Sequence, residues 1–147
     1  ALPICLIAIE TISSFFVSDG VTKFLRRKAQ LYTLFSVVFY MQREKIEVDQ
    51  HHKDRLESFV KLYSIFDNDM DLTGKITDPE KTLFDWLKKY KLASSEGLNK
   101  HTNRMIRYNV MKDFLFSLTG ELEAAQITLY EKMRSNSTDN VAEDPEE

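Results

Sequence analysis

Apolar side chains recur every three or four residues along most of this chain, the spacing that gives an α-helix one buried face. Leu83, Leu87 and Tyr90 show this spacing in one segment, and Val110 and Phe114 show it in another. The 147 residues include only 4 Gly and 3 Pro, too few for the many tight turns of a β-sandwich or barrel. The sequence therefore predicts an all-α fold, a compact bundle of five to six helices.

Capping residues indicate where the predicted helices begin. Asp19 can cap the second helix, and Asp78 followed by Pro79 and Glu80 is a strong start signal for the fourth. The predicted helices cover residues 2–17, 19–43, 54–66, 78–90 and 99–118, and a sixth starts at 120. Apolar residues surround the first helix, so we expect it to be buried on most sides.

The end of the chain differs from its body in charge. Residues 121–147 carry two basic and eight acidic residues, a net charge of −6, while the whole chain has a formal net charge of −3. Beyond residue 134 almost nothing is apolar, and such a segment buries too little surface to order itself. We predict one helical domain over residues 1–134 and a disordered acidic tail over 135–147.

Cysteine use and hydropathy bear on location and partners. Cys5 is the only cysteine, which excludes a disulfide framework and favours a reducing, cytoplasmic location. The apolar start is shorter than the roughly 20 residues needed to span a bilayer and lacks the basic residues of a signal peptide, so no membrane partner is predicted. Because the chain begins inside an apolar helix pattern, we expect a fragment whose partner is the remainder of a larger protein or another chain.

The segment 86–112 is locally basic, with seven Lys and Arg against one acid. Arg104 and Arg107 lie one turn apart, in line with the inward apolar stripe, where a guanidinium needs a carboxylate partner or an anionic ligand. Two interpretations stay open: a phosphate site, which makes DNA a partner, or structural pairing with acids of a neighbouring helix. Arg27 follows the stripe of the second helix in the same way, so the two helices can share one site. The predicted nucleic-acid or anion contacts are Arg27, Lys88, Lys89, Lys100, Asn103, Arg104 and Arg107.

Residues 69–80 fit the pattern of an EF-hand calcium loop by residue type, with alternating oxygen ligands, Gly at the sixth position and Glu at the twelfth. The helix-to-loop junction at Phe66 makes the loop two residues too long, and no second copy is present. The alternative is a polar loop whose Asp and Thr side chains cap helix ends. The predicted metal residues are Asp69, Asp71, Thr73, Lys75 and Glu80. Calcium is the only predicted cofactor.

No catalytic motif accompanies these residues. His51 and His52 diverge on a helix and have no Cys or third His nearby in the sequence, which argues against zinc. No Gly-rich phosphate loop and no nucleophile motif is present. The sequence assigns no catalytic residue to this chain and leaves its enzyme status open.

Two segments together resemble a known family. The first is FLRRKAQLYTLF, residues 24–35, and the second is YKLASSEGLN, residues 90–99, followed by Asn103, Arg104 and Arg107. This order is similar to the helical region downstream of the nuclease-like domain in GmrSD-type, ParB-like modification-dependent restriction endonucleases. The resemblance implies a phage-defence setting and a nucleotide-dependent nuclease that acts on modified DNA.

The resemblance covers roughly residues 2–118 and does not extend to the family's catalytic part. That part carries an Asp-Gly-Gln-type motif, whereas Asp19 and Gly20 are followed here by Val21. The resemblance therefore implies a helical accessory part whose nuclease portion lies elsewhere. It carries over Asn103, Arg104 and Arg107 as a motif without an assigned role.

Three hypotheses for the function follow. The first is a non-catalytic helical accessory domain of a larger DNA-acting, nuclease-like protein, which braces the nuclease part or contacts DNA phosphates. The second is a calcium-binding, EF-hand-like module. The third is a helical protein-interaction scaffold whose apolar first helix docks on a partner.

Overall fold

The computed structural model describes residues 3–142, with side chains through residue 137, and these residues form seven α-helices without a strand. The helices are α1 (Ile4–Ser13), α2 (Asp19–Leu25), α3 (Lys28–Arg43), α4 (Gln50–Ile65), α5 (Asp78–Ala93), α6 (His101–Phe116) and α7 (Gly120–Ala142). The predicted all-α class is confirmed, and the helix count is higher than the five to six predicted.

The additional helix comes from a break in the predicted helix over 19–43. α2 ends at Leu25 and α3 begins at Lys28, because Arg27 adopts an extended backbone with φ −78° and ψ 125°. The break lets α2 pack on α4 while α3 packs on α1 and α6. One straight helix could not reach both sets of neighbours, so tertiary packing overrides the continuous helical pattern.

Reciprocal side-chain caps fix the starts of α4 and α5. Asp49 and His52 form a capping box, so α4 begins earlier than predicted. Thr77 and Glu80 form a second box, so Thr77 rather than the predicted Asp78 is the N-cap of α5. Each box satisfies backbone N–H groups that have no partner inside the helix.

Aromatic rings form the centre of the core. Phe59 of α4 is fully buried, with its ring centroid 4.9 Å from that of Phe114 on α6 and 5.0 Å from that of Tyr90 on α5. Phe24 of α2 meets Phe59 edge to face at 5.9 Å. The helical spacing of Leu83, Leu87, Tyr90, Val110 and Phe114 predicts that they face inward, and all five are buried. Leu34, Val38, Leu56, Leu118, Ala125, Leu129 and Met133 are buried with them.

The two ends of the described chain differ from the predictions. α1 packs on α3 and on no other helix within residues 3–142, so the expectation that it is buried on most sides is wrong. α7 continues to Ala142, into the segment predicted as a disordered tail. Buried Met133 anchors α7, and residues 135–142 include no Gly or Pro that would end a helix. The rest of the predicted tail, 143–147, lies outside the described residues.

Candidate functional site

The predicted Arg pair is divided between the core and the surface. Arg107 is 3% exposed, whereas Arg104 is exposed to solvent. Arg107 donates from Nη1 to the carbonyl oxygen of Ala93 at 2.6 Å and from Nη2 to that of Leu98 at 2.8 Å. Its Nε lies 3.4 Å from Thr33 Oγ1 on α3. The acceptors are backbone and hydroxyl oxygens rather than the carboxylates that the structural interpretation predicted.

The position of the guanidinium suits its charge. Ala93 is the last residue of α5, where carbonyl groups lack intrahelical donors and the helix dipole is negative. Burial lowers the pKa of Arg107, but a guanidinium starts so far above neutrality that it stays protonated. A cation at this point therefore completes the end of α5 and ties it to α6 and α3.

Asn103 acts on the same connection between α5 and α6. Its Nδ2 donates to the carbonyl oxygens of Glu96 at 2.8 Å and Gly97 at 3.1 Å. Gly97 has φ +58°, and a Cβ built there would lie 2.8 Å from the Lys100 side chain, so this turn favours glycine. Two members of the Asn-Arg-Arg motif, Asn103 and Arg107, thus hold the loop, and Arg104 does not.

A buried polar network beside Arg107 was not predicted from the sequence. Gln30 of α3 is 2% exposed and accepts a hydrogen bond from the Tyr90 hydroxyl of α5. Gln30 Nε2 also lies 3.3 Å from Ser94 Oγ. Burial raises the pKa of Tyr90 strongly, so it remains a neutral donor. The available signal was position: Gln30 falls one helical turn before Leu34, on the buried face of α3.

The other predicted cations do not take part in the buried contacts around Arg107. Lys88, Lys89 and Lys100 are exposed, as is Arg104. Arg27 is also exposed and lines a groove between α2 and α4 together with one lysine each from α2, α4 and α5. Neither Arg of the pair on α6 lines that groove, so the site shared between the two helices is not formed.

The acidic loop is organised by local hydrogen bonds. Asp71 Oδ1 accepts from the backbone N–H of Thr73 at 2.9 Å, and Asp67 Oδ1 accepts from that of Asp69 at 3.0 Å. These are turns in which an Asp side chain binds the backbone two residues ahead. Lys75 is exposed, and its backbone N–H donates to the carbonyl oxygen of Leu72, which is buried. The loop geometry therefore follows from turns and an apolar anchor.

Glu80, the predicted last metal ligand, is engaged elsewhere. It is 1% exposed, and its Oε1 accepts from Thr77 N at 3.0 Å, Thr77 Oγ1 at 2.9 Å and Lys132 Nζ at 2.6 Å. Residues 3–142 hold no group of three or more His, Cys, Asp or Glu side chains that could hold a metal ion. Calcium binding stays a prediction, and the contacts of Glu80 do not favour it.

The most unusual surface is apolar and lies on α1. Ile4, Leu6 and Ile9 are 65%, 47% and 50% exposed, while Ala8 and Ile12 face α3 and are buried. We define the α1 face as the exposed apolar side chains Ile4, Leu6, Ile7, Ile9, Phe16 and Val17 together with Phe39.

Phe39 extends the α1 face onto α3. Gln42 of α3 donates to the carbonyl oxygen of Ile4 at 3.4 Å, so this side of α3 is turned toward α1. Phe35, Phe39 and Gln42 share one side of that helix by their spacing.

Within residues 3–142, every helix is too short or too polar to cross a bilayer.

Comparison of the chain with protein-family models, curated proteins and solved structures gave no match. The resemblance to the helical region of GmrSD-type restriction proteins therefore stays a prediction.

We expect Arg107→Met to lower the free energy of unfolding by about 2–4 kcal/mol, because the carbonyl oxygens of Ala93 and Leu98 lose their buried donor. Urea denaturation followed by circular dichroism measures this loss. Arg104→Met, an exposed change on the same helix, is the matched control and should stay within about 0.5 kcal/mol of wild type. Equal stability of the two variants would contradict the role of Arg107 in joining the end of α5 to α6 and α3.

The contribution of Glu80 should depend on pH. Burial opposes its ionisation, but hydrogen bonds from Lys132 and Thr77 outweigh that effect and hold the pKa of the carboxyl below its usual value of 4.5. A lowered folded-state pKa stabilises the fold above the unfolded value, and this stabilisation is lost as the pH falls below 4.5 toward the folded-state value. Glu80→Gln should therefore be less stable than wild type near neutral pH, with a difference that shrinks in acid.

Chemical denaturation across a pH series tests this dependence. Glu131→Gln removes an exposed carboxylate from the same helix as Lys132 and is the matched control. A stability difference between wild type and Glu80→Gln that stays constant down to strongly acidic pH would rule out the ionised carboxylate as its source.

Proposed function

We propose that the chain is a helical protein-interaction domain that associates through the α1 face. The observation that carries the proposal is the exposure of Ile4, Leu6 and Ile9 on a helix with apolar residues all around it. Single exposed apolar side chains such as Ile127 are normal on protein surfaces, whereas a contiguous apolar patch marks a contact surface.

The composition of α1 indicates that its outer side packs against a partner rather than facing water. Its sequence, ICLIAIETIS, holds one ionisable acid, Glu10, and no basic residue. A surface helix that has no second apolar layer normally carries charged residues on its outer side. The outer side of α1 instead carries Leu6 and Ile9, which are stabilised when another apolar surface excludes water from them.

The simplest partner is a second copy of the chain. A face with a single carboxylate per copy imposes little charge repulsion when two identical faces meet around a two-fold axis. Two-fold pairs of this kind are the commonest assemblies of soluble proteins. The side chains of the α1 face would then form most of the contact. Glu10 lies on the same outer side of the helix, opposite Ala8 and Ile12, so the pair must keep the two carboxylates apart and in reach of water.

Leu6→Glu should dissociate the assembly, because a carboxylate at the centre of an apolar contact loses its hydration without gaining a partner. We expect a dimer for the wild type in analytical ultracentrifugation and a dissociation constant at least about tenfold higher for Leu6→Glu, a difference of about 1.4 kcal/mol. Ile127→Glu places the same charge on an exposed apolar site of α7 and should leave the dimer intact.

The single cysteine offers an independent readout. Cys5 lies exposed on α1, so mild oxidation should trap wild-type dimers through a Cys5 disulfide and trap fewer in Leu6→Glu. Circular dichroism should show equal helix content in all three proteins. A wild type that stays monomeric over the whole concentration range, or a Leu6→Glu dimer of unchanged affinity, would contradict association through α1.

A second proposal keeps the function that the family resemblance implies, a helical accessory domain that contacts DNA phosphates or braces a nuclease part. It is supported by Lys88, Lys89, Lys100 and Arg104, which are exposed and form no ion pair among the described residues. Exposed cations are usually only solvated, so salt dependence is the decisive property.

Replacing Lys88, Lys89 and Arg104 together by Gln should weaken duplex DNA binding and lower the slope of log K against log salt by roughly one per lost phosphate contact. Fluorescence anisotropy at several salt concentrations measures this slope. Lys81→Gln, an exposed change at the other end of α5, is the control. Absence of duplex binding at low salt would exclude the phosphate-contacting version.

A further inference from the structure

A groove between α2 and α4, closed at one side by Lys91 of α5, concentrates positive charge. Its volume is about 570 Å³, within the roughly 300–1,000 Å³ of small-molecule sites. Lys23, Arg27, Lys61 and Lys91 line it, and the acids on its walls are Asp19 and Glu57. Cations therefore outnumber acids by two to one in a concave surface, although the chain as a whole is acidic.

Carboxylates of the described residues do not pair with these four cations. Within residues 3–142, none of the four forms an ion pair with an acidic side chain. Lys91 instead places its Nζ 5.0 Å from the centroid of the Tyr63 ring, a cation–π contact. The positive charge of the groove is thus left uncompensated by protein carboxylates.

The groove also has an aromatic wall that is held in place. The Tyr63 ring packs edge to face on Phe24 at 5.6 Å and on Tyr90 at 5.5 Å, and it stacks on Phe59 at 6.0 Å. Phe24 and Tyr63 both line the groove. Phe59 stacks on the Tyr63 ring and the Lys91 ammonium lies over it, so a planar group would stack there by displacing the flexible Lys91 side chain, while the core keeps the ring in place.

The start of α3 adds an independent observation. Arg27 and Lys28 are the N-cap and the first residue of this helix, where the helix dipole disfavours positive charge, whereas Arg26 is the C-cap of α2, where the dipole favours it. The first turn of α3 has no acid, and its N-cap, Arg27, has no side-chain hydrogen bond. An anion bound beside Arg27 would relieve this repulsion and supply the missing negative charge.

We propose that this groove binds a small phosphate monoester that carries a planar ring. The phosphate group lies among Arg27, Lys23 and Lys61, and the ring stacks against Tyr63. A single phosphate and one ring match the cations and the one fixed aromatic wall, and they fit the volume. This function is separate from association through α1, because the α1 face and the groove share no residue.

Adenosine 5′-monophosphate is the probe, with inorganic phosphate and adenosine as partial ligands, measured by isothermal titration calorimetry on the whole chain. We expect the monophosphate to bind more tightly than either partial ligand, because only it uses both the cations and the ring wall. Arg27→Gln and Lys61→Gln should each weaken its binding about five- to tenfold, and Lys81→Gln, an exposed change on α5 outside the groove, should not.

Amide shifts in NMR spectra provide a second readout and a check of folding. The monophosphate should perturb the amides of residues that line the groove in wild type and perturb them less in Arg27→Gln. Absence of binding at millimolar concentration, equal weakening in Lys81→Gln, or equal affinity for inorganic phosphate and the monophosphate would overturn the proposal. Binding of a duplex DNA fragment without binding of the monophosphate would likewise overturn it, in favour of a nucleic-acid contact.

Discussion

A buried guanidinium at the junction of α3, α5 and α6 is the contact on which the arrangement of these helices depends. Burying a cation is unfavourable unless its N–H groups find acceptors, and the end of a helix leaves carbonyl groups without donors. Arg107 meets both requirements with one side chain, through Ala93 and Leu98. Once α5 and α6 are joined in this way, Tyr90 and Phe114 can both pack against Phe59 in the centre of the core.

The polar interior and the charged exterior of the protein therefore have different tasks. Gln30, Tyr90 and Arg107 satisfy one another or the backbone, so they specify how the helices fit together. The cations around Tyr63 form no ion pair with a carboxylate among the described residues, and only Lys91 has a partner, the Tyr63 ring, which leaves their charge available to an anionic ligand. The positions of these two groups of residues in the sequence do not tell them apart. They differ in whether the described residues supply them with hydrogen-bond acceptors.

Much of the fold could be predicted from the sequence, because helical spacing marks which residues face inward. Leu83, Leu87 and Tyr90 are buried as this spacing predicts. The break at Arg27 could not be predicted, since the apolar pattern runs through it without Gly or Pro and the bend is imposed by neighbouring helices. The open side of α1 was missed for a related reason: an apolar pattern shows what a helix would bury, not whether another element covers it.

The candidate site was harder to predict, because the partners of its residues are not written in the local pattern. Arg107 was identified, but its acceptors are backbone carbonyl groups, which every sequence has and no residue type reveals. Glu80 has the residue type of a metal ligand and equally that of a capping-box residue, and its contacts with Thr77 and with Lys132 of α7 show the second role. Lys61 had no sequence signal, and Lys91 belonged to the basic segment 86–112 without any sign that it faces Lys61, since the groove gathers the two from separate helices.

The attachment of α1 has a consequence for local stability. This helix rests on α3 alone, through Ala8 and Ile12, while α4 and α5 contact each other and each of them also contacts α6 and α7. Its detachment would expose little of the central core, so α1 forms a cooperative unit that can open without global unfolding. The amide protons of α1 would then exchange with solvent faster than those of α5 and α6. A bound partner would slow that exchange by packing against the outer side of the helix.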